Sequence, residues 1–429
     1  MGPTTGSNSI SKSHYNRLRK KKALYTAWRK VYDNGIHSKS KETRELVKEY
    51  NANILWNIEA IYRKLLNNNY KFKLSRGVPK RRKGKKPRPI VVSPLESRIV
   101  QRSILDVLQN DRTVSKYVST PYSFGGIKDP DTFKSVSGAI TELQKAISGG
   151  AKWYFKSDIK DFFTYIPKKR ILEQMSDLVP DTSFNELFAA AVEVELENME
   201  ILGNQTNLFP LHEIGVAQGC CLSPFIGNLL LHDFDESMNQ RGVVCLRYID
   251  DFIILSSTSK KVNAASRSAL QMLQSLGLSA YDPLQGDQKG KMGSVSEGIG
   301  FLGCEIKDGI VRPDTNSLNR LLSTIEGICK DSMSQMRSPK NCFCEKKTVV
   351  DTLHSIHNHL LGWGNQYFYC NDEALIRRID KRIDELLKEY LSFYGTQIRA
   401  LKPSDYINRR RLLGVFILLE GYYKAHSLN

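Results

Sequence analysis

No stretch of the 429 residues stays apolar for anything near the ~20 positions that crossing a bilayer takes. The longest apolar run, Leu412 to Leu419, reads as a buried C-terminal helix. Met1 to Ser13 is mostly polar and lacks the apolar centre of a secretory leader. The eight cysteines show no paired C-x-x-C spacing, so they read as reduced thiols of a cytoplasmic protein. Cys342 and Cys344 precede His354, His357 and His359, but the spacing fits no standard zinc finger, and His357 and His359 cannot share a helical face. No internal repeat is present. Acidic residues are scarce: 45 Asp and Glu stand against 63 Lys and Arg, a net charge of +18. That excess favours a polyanionic partner, most often nucleic acid. Ordinary apolar and charged fractions exclude wholesale disorder, and the length allows two or three packed units.

Residues 1–70 read as a basic helical N-terminal extension. Arg17, Arg19, Lys20, Lys21 and Lys22 cluster there, and Ile54, Leu55, Ile58, Ile61, Tyr62 and Leu65 recur at helical spacing. Seven of the nine residues from Lys80 to Arg88 are cationic, with Gly84 near the centre and Ile90-Val91-Val92 following. This predicts a hairpin with a cationic tip suited to a phosphate or triphosphate. Glu96 to Leu108 and Phe133 to Ile147 read as helices, the second ended by Gly149-Gly150. A short aromatic strand, Lys152 to Ser157, then delivers Asp158. Further helices are expected over Phe184 to Leu196, over Phe225 to Met238 with Ser223 as cap, and over Val262 to Leu276. Gly300 to Ile306 reads as a strand opening a small hairpin. From about Asn316 the pattern becomes a helical bundle, clearest over Asp372 to Leu391 with Asn371 as cap. The expected division is therefore 71–314 for a mixed body and 315–429 for helices.

The stretch Arg247-Tyr248-Ile249-Asp250-Asp251-Phe252-Ile253-Ile254-Leu255 begins and ends as strand, with two carboxylates at its tip. An Asp-Asp tip is also an ordinary turn, because Asp is favoured there. Buried together, two anions repel and lose hydration, unless a cation compensates. Asp158 at another strand end and a Gln218-Gly219 turn opening a helix complete a constellation. Three converging carboxylates suit Mg²⁺, which prefers oxygen ligands. Two such ions roughly 3.5–4 Å apart clamp an in-line phosphoryl transfer, in phosphatases and nucleases as well as polymerases.

The order of motifs separates these classes. Lys86-Pro87-Arg88-Pro89-Ile90, Ser97-Arg98-Ile99-Val100-Gln101, Tyr122-Ser123-Phe124-Gly125, Ser157-Asp158-Ile159-Lys160-Asp161-Phe162-Phe163, Gln218-Gly219-Cys220-Cys221-Leu222-Ser223-Pro224, Arg247-Tyr248-Ile249-Asp250-Asp251 and Phe301-Leu302-Gly303-Cys304 follow one another. Together they resemble the reverse transcriptases of the bacterial, group II intron-like lineage. Leu361-Gly362-Trp363 with Tyr367-Phe368 is similar to the thumb of intron proteins. The resemblance implies an α+β right-hand polymerase, fingers and palm with an antiparallel palm sheet, then an all-helical thumb.

It implies that Asp158 and Asp250 hold two Mg²⁺ ions, with Asp251 accessory and the Ile159 carbonyl completing a shell. Lys80 and Arg88 would hold the triphosphate, and Phe163 would strike a ribose 2′-hydroxyl, so that dNTPs are preferred. Gln218 and Gly219 would let template base and nucleotide approach. Tyr248, Phe301, Leu302 and Gly303 would contact template and primer, and Lys289 or Lys291 would protonate pyrophosphate. Implied partners are a structured noncoding RNA template, a DNA product or primer and dNTPs, without a membrane; oligomerisation is left open. The chain ends soon after the thumb, with no RNase H or endonuclease domain expected. Asn-Ala-x-x-His and Val-Thr-Gly, the marks of retron enzymes, are missing, and Pro224 stands where diversity-generating enzymes show Gln. By elimination the resemblance narrows to stand-alone bacterial enzymes, many linked to phage defence. A non-enzymatic RNA-binding or splicing-helper protein with the same fold is the rival reading.

Overall fold

A computed structural model describes residues 13–82, 84–128, 134–286 and 289–419. Lys83 at the expected cationic tip and Phe133 at the expected helix start lie outside them. The strands, in chain order, are β1 (Arg76–Arg82), β2 (Lys85–Val92), β3 (Ser123–Phe124), β4 (Trp153–Asp158), β5 (Val244–Tyr248), β6 (Asp251–Ser256), β7 (Lys291–Ser294), β8 (Ile299–Phe301), β9 (Cys304–Lys307) and β10 (Ile310–Pro313). The chain forms two compact units, 1–295 and 296–429.

The runs Tyr154-Phe155 and Phe252 to Leu255 are too apolar to face water on both sides, and they pair antiparallel at the centre of the first unit. Strand order is β3-β5-β6-β4-β7, antiparallel except for the short parallel β3–β5 pairing. Helices Ser223–Leu230, His232–Asn239 and Ser259–Ser275 supply Phe225, Leu229, Phe234, Val262, Ala269 and Leu273 to the core that also holds Phe155, Phe252 and Ile254. Each fully buried Leu, Ile or Phe contributes about 1.5–3 kcal/mol by leaving water. The hairpin β1–β2 pairs Arg76 with Val92 and Lys80 with Arg88. The fold is thus the mixed α+β, fingers-and-palm type that the motifs predict.

The helices within 1–70 pack into this body: Tyr15, Leu18, Leu24, Trp28, Ile58 and Ile61 belong to the same core as Ile99, Ile104 and Phe252. Trp28 is 2 % exposed, and its indole N–H donates to Asn51 at 3.0 Å, so aromatic burial outweighs the basic composition there. The two compact units divide between Val295 and Ser296, ahead of the small sheet β10-β9-β8. Several expectations for single elements are corrected. The expected helix to Leu196 ends at Val192, after which Ser75 and the 195–197 segment pair as extended chain. The expected helix from Phe225 to Met238 is broken at Leu231. Ser223 is not its cap; its hydroxyl donates to the Ala217 carbonyl at 2.6 Å.

In the second unit, helices Thr315–Gln335, Val349–Tyr367 and Glu373–Ala400 bury Leu321, Ile325, Ile356, Ile379, Ile383, Leu386 and Tyr390. Asp372, not Asn371, caps the longest helix, by accepting from Leu375 N–H at 2.9 Å. Asn371 instead accepts from Val311 N–H at 2.7 Å and donates to the Gly309 carbonyl, which ties the small hairpin to the helix start. Leu412 to Leu419 is not one buried helix. Gly414 ends it in a left-handed conformation, and Phe416 and Leu418 are exposed while Leu412 and Ile417 are buried. Among the described residues no helix is long and apolar enough to cross a membrane.

Candidate active site

Asp158 ends β4 and Asp251 begins β6, and the antiparallel register sets them opposite one another. Asp250 is in the turn between β5 and β6. Its carbonyl accepts Ile159 N–H at 3.0 Å, which fastens the carboxylate tip to the chain leaving β4. The turn holds Ile249 at φ 59°, a left-handed conformation that branched residues rarely adopt. It is held from below by Arg247, which is 0 % exposed. That guanidinium donates to the Ile249 carbonyl at 2.9 Å, to Asn228 Oδ1 at 3.0 Å and to both oxygens of Asp235. Asn228 in turn donates to the Gly125 carbonyl at 3.0 Å. One buried network therefore joins the helix after the Gln218-Gly219 turn, the Asp250-Asp251 tip and the Tyr122-to-Gly125 passage. Asp235 escaped the sequence reading; as an Asp in a helix it carried no motif signal.

The electrostatics follow from this crowding. Burial, then the charge of Asp158, pushes the Asp250 carboxyl up to about 6, while Arg88 and Lys289 pull it back. Burial, then Asp250 and Asp158, pushes Asp251 up to about 7, with Lys156 and Lys289 opposing. The Lys289 ammonium donates to Asp158 Oδ2 at 2.7 Å. It also lies 4.4 Å from the centre of the Tyr281 ring. The other lysine candidate, Lys291, sits on β7 opposite Lys156, an amine that burial depresses first and the charge of Lys291 second.

The remaining expected residues are placed as follows. Lys80 and Arg88 face each other across the β1–β2 hairpin, both exposed. Gln218 accepts Val91 N–H at 2.8 Å through its carbonyl, and its amide approaches Thr164 at 3.4 Å. Gly219 has φ 110°, and a Cβ there would stand 3.1 Å from the Val91 carbonyl, so the turn needs glycine. Phe162 is buried at 2 % exposure, whereas Phe163 is half-buried at the edge of the core. Tyr248 pairs with Asp251 across β5–β6. Phe301, Leu302 and Gly303 belong to the second unit, where Leu302 and Gly303, both with positive φ, make the β8–β9 turn.

Among the described residues, no group of three or more His, Cys, Asp or Glu side chains stands in metal-holding geometry. The donor set is nevertheless all oxygen, which suits a hard divalent cation. The raised Asp250 and Asp251 show anionic charge that nearby cations only partly relieve. A metal on Asp158 would meet the Lys289 ammonium already on Oδ2 of the same carboxylate.

A family model described as reverse transcriptase (RNA-dependent DNA polymerase) matches residues 78–306. The chain belongs to that family. This reverse transcriptase is 21 % identical over 156 residues to Protein YkfC of Escherichia coli (strain K12), a match covering 36 % of this chain and 38 % of YkfC. Among solved structures it is similar to a chain of the partial Cas6-RT-Cas1–Cas2 complex, with TM-score 0.36, 19 % identity, and 62 % and 42 % of the two chains covered. Apo telomerase from Candida tropicalis gives TM-score 0.43 and 12 % identity over 80 % of this chain and 69 % of that one. Telomerase from Candida albicans gives 0.42 and 13 % over 86 % and 68 %. The matches thus span under half of YkfC and of the Cas6-RT-Cas1 chain. The matched family domain is that of an RNA-directed DNA polymerase, a nucleotidyltransferase, and domains of this kind generally use divalent metal ions.

Proposed function

We propose that this reverse transcriptase makes cDNA from a dedicated structured noncoding RNA, adding dNTPs to a 3′-hydroxyl with two Mg²⁺ ions. The observation that carries the reading is the register pairing Asp158 with Asp251, with Asp250 bonded through its carbonyl to Ile159 N–H. Asp158 and Asp250 are the residues to hold metal, with Asp251 accessory and the Ile159 carbonyl as a further oxygen. When bound, the ions would activate the attacking hydroxyl and neutralise charge on the leaving pyrophosphate. Arg88, with Lys80 across the hairpin, binds the triphosphate by charge-assisted hydrogen bonds. Phe163 bars a 2′-hydroxyl, and Gly219, lacking a side chain, lets the nascent pair approach. Lys289, next to Asp158, is better situated than Lys291 to give a proton to pyrophosphate.

In this reading 71–314 act as fingers and palm and 315–429 as thumb, with RNA held on the basic N-terminal and thumb surfaces by phosphate and shape contacts. A role in phage defence follows from elimination among subtypes and a cytoplasmic setting from the cysteine spacing, and both belong to the proposal. Primer extension tests its centre. Replacing Asp250 and Asp251 by Ala should abolish extension while RNA binding stays largely intact, and robust extension by that variant would refute the site.

A further inference from the structure

We propose that Lys289 is a built-in counter-ion that competes with the divalent metal for Asp158, with Tyr281 as the residue that seats it. The inference rests on the proposed metal site and adds a way of setting its occupancy. Three carboxylates cannot stand together uncompensated, and the metal-free chain supplies its own compensation. Lys289 Nζ donates to Asp158 Oδ2 at 2.7 Å, taking one of the oxygens a metal would use. Its charge also reaches further, since it lowers both Asp250 and Asp251.

The ammonium is not left to find this position unaided. Tyr281 follows the bridge between Ile159 and Ala280, its N–H donates to the Asp158 carbonyl at 3.2 Å, and its carbonyl accepts the Ser157 hydroxyl at 2.7 Å. The ring is therefore fixed to the end of β4 by its own backbone. Two ammonium groups sit by it, Lys289 at 4.4 Å and Lys160 at 4.8 Å from its centre. Cation–π attraction, together with a hydrogen bond between the ammonium and the Tyr281 hydroxyl, thus holds Lys289 beside Asp158 and keeps it near when the carboxylate is taken.

The pair is half exposed, with side chains 48 % and 23 % accessible, so the ammonium can be displaced. The site would then stay closed to stray monovalent cations and open only to a divalent ion, which outcompetes a single ammonium. Released from Asp158, the amine remains within reach of the same site and free to donate a proton.

Manganese binding, without nucleic acid or nucleotide, tests this. By calorimetry or by electron paramagnetic resonance of free Mn²⁺, Lys289→Met should bind Mn²⁺ about threefold to tenfold more tightly than the wild type. Metal-free Lys289→Met should melt lower, and saturating Mn²⁺ should raise its Tm by more than it raises that of the wild type. Tyr281→Leu should tighten Mn²⁺ binding in the same direction but less. Tyr281→Phe should tighten it less again, because it keeps the ring and loses only the hydroxyl's contact with Lys289. The double Lys289→Met, Tyr281→Leu variant should equal Lys289→Met alone, because Tyr281 acts through the lysine. Equal or weaker binding by a folded Lys289→Met overturns the competition. Additive effects of the two substitutions overturn the seating role of Tyr281. If Mn²⁺ binding is instead unchanged in Asp250→Asn and Asp158→Asn, the metal site itself is misassigned and the inference falls with it.

Discussion

Arg247 and Asp235 form a two-pronged ion pair from which water is shut out. Nε donates to Oδ1 at 2.8 Å and a terminal nitrogen to Oδ2 at 2.5 Å, with the side chains 0 % and 1 % accessible. Such a pair contributes little net stability over an apolar equivalent, but removing one partner strands a buried charge at about 3–5 kcal/mol. Its value here is positional, because the same guanidinium holds the Ile249 carbonyl beneath the Asp250-Asp251 tip.

Arg247→Met and Asp235→Leu should therefore each destabilise by about 3–5 kcal/mol. The double variant should recover a large part of that loss. Extension activity should be low in all three, since the turn has lost its support in each. Equilibrium urea unfolding with primer extension checks both halves. A double variant that loses the sum of the two single losses would show that the charges are not coupled.

The raised carboxyls predict a pH dependence with a definite sign. Asp250 and Asp251, at about 6 and about 7, hold protons more tightly folded than unfolded. Between the ordinary carboxylate value near 4 and about 7 the native state binds more protons, so stability falls as pH rises through that window. Metal-free Asp251→Asn should lose much of this decline and melt above the metal-free wild type at pH 8. Adding Mg²⁺ should raise the wild type more than the variant. Melting curves across pH 5 to 8 that run parallel for the two proteins would contradict the assignment.

Gly219 carries a narrower expectation. At φ 110°, with the Val91 carbonyl 3.1 Å from where a Cβ would be, Gly219→Ala is strained both by its backbone and by its neighbour. A loss of about 1–3 kcal/mol follows from the conformation alone. The Gln218 carbonyl bond to Val91 N–H should loosen with it. In the proposed reading the KM for dNTP rises more than RNA affinity falls. A variant as stable as the wild type by urea unfolding would show that the turn tolerates a side chain.

What was legible beforehand was what local pattern controls. The apolar run Phe252 to Leu255 reads as a buried strand by its shortness and β-branched content, and the cationic run around Gly84 as a hairpin tip or a tail, which the flanking β-branched residues decide. What escaped depends on contacts far along the chain. Leu231 breaks a helix without Pro or Gly, and nothing around it in sequence marks the break. Asp235 reads as a surface helical Asp until Arg247 is brought against it. The choice between Lys289 and Lys291 turns on a strand register, in which Lys291 falls opposite Lys156. The N-terminal helices read as a basic extension because their charges outnumber the few residues, Leu18, Leu24 and Trp28 among them, that actually anchor them.

Two adjacent phenylalanines give the sharpest contrast between packing and specificity. Phe162 is 2 % exposed, and its ring fills the space beside Gly227, where a Cβ would be 2.6 Å from it. Phe162→Ala should cost about 3–5 kcal/mol of stability through the cavity it leaves. Phe163 is half-buried, with its ring 5.2 Å from that of Phe162. Its truncation to Ala should cost distinctly less stability, because the ring already meets solvent. In the proposed reading it should instead relax the choice between dNTP and rNTP. A shape-based filter of this size is worth roughly 10–200-fold, and that is the expected drop in the ratio of kcat/KM values. Single-nucleotide incorporation on an RNA template measures it. If Phe163→Ala unfolds as readily as Phe162→Ala while discrimination is unchanged, Phe163 is a core residue and the ribose filter lies elsewhere.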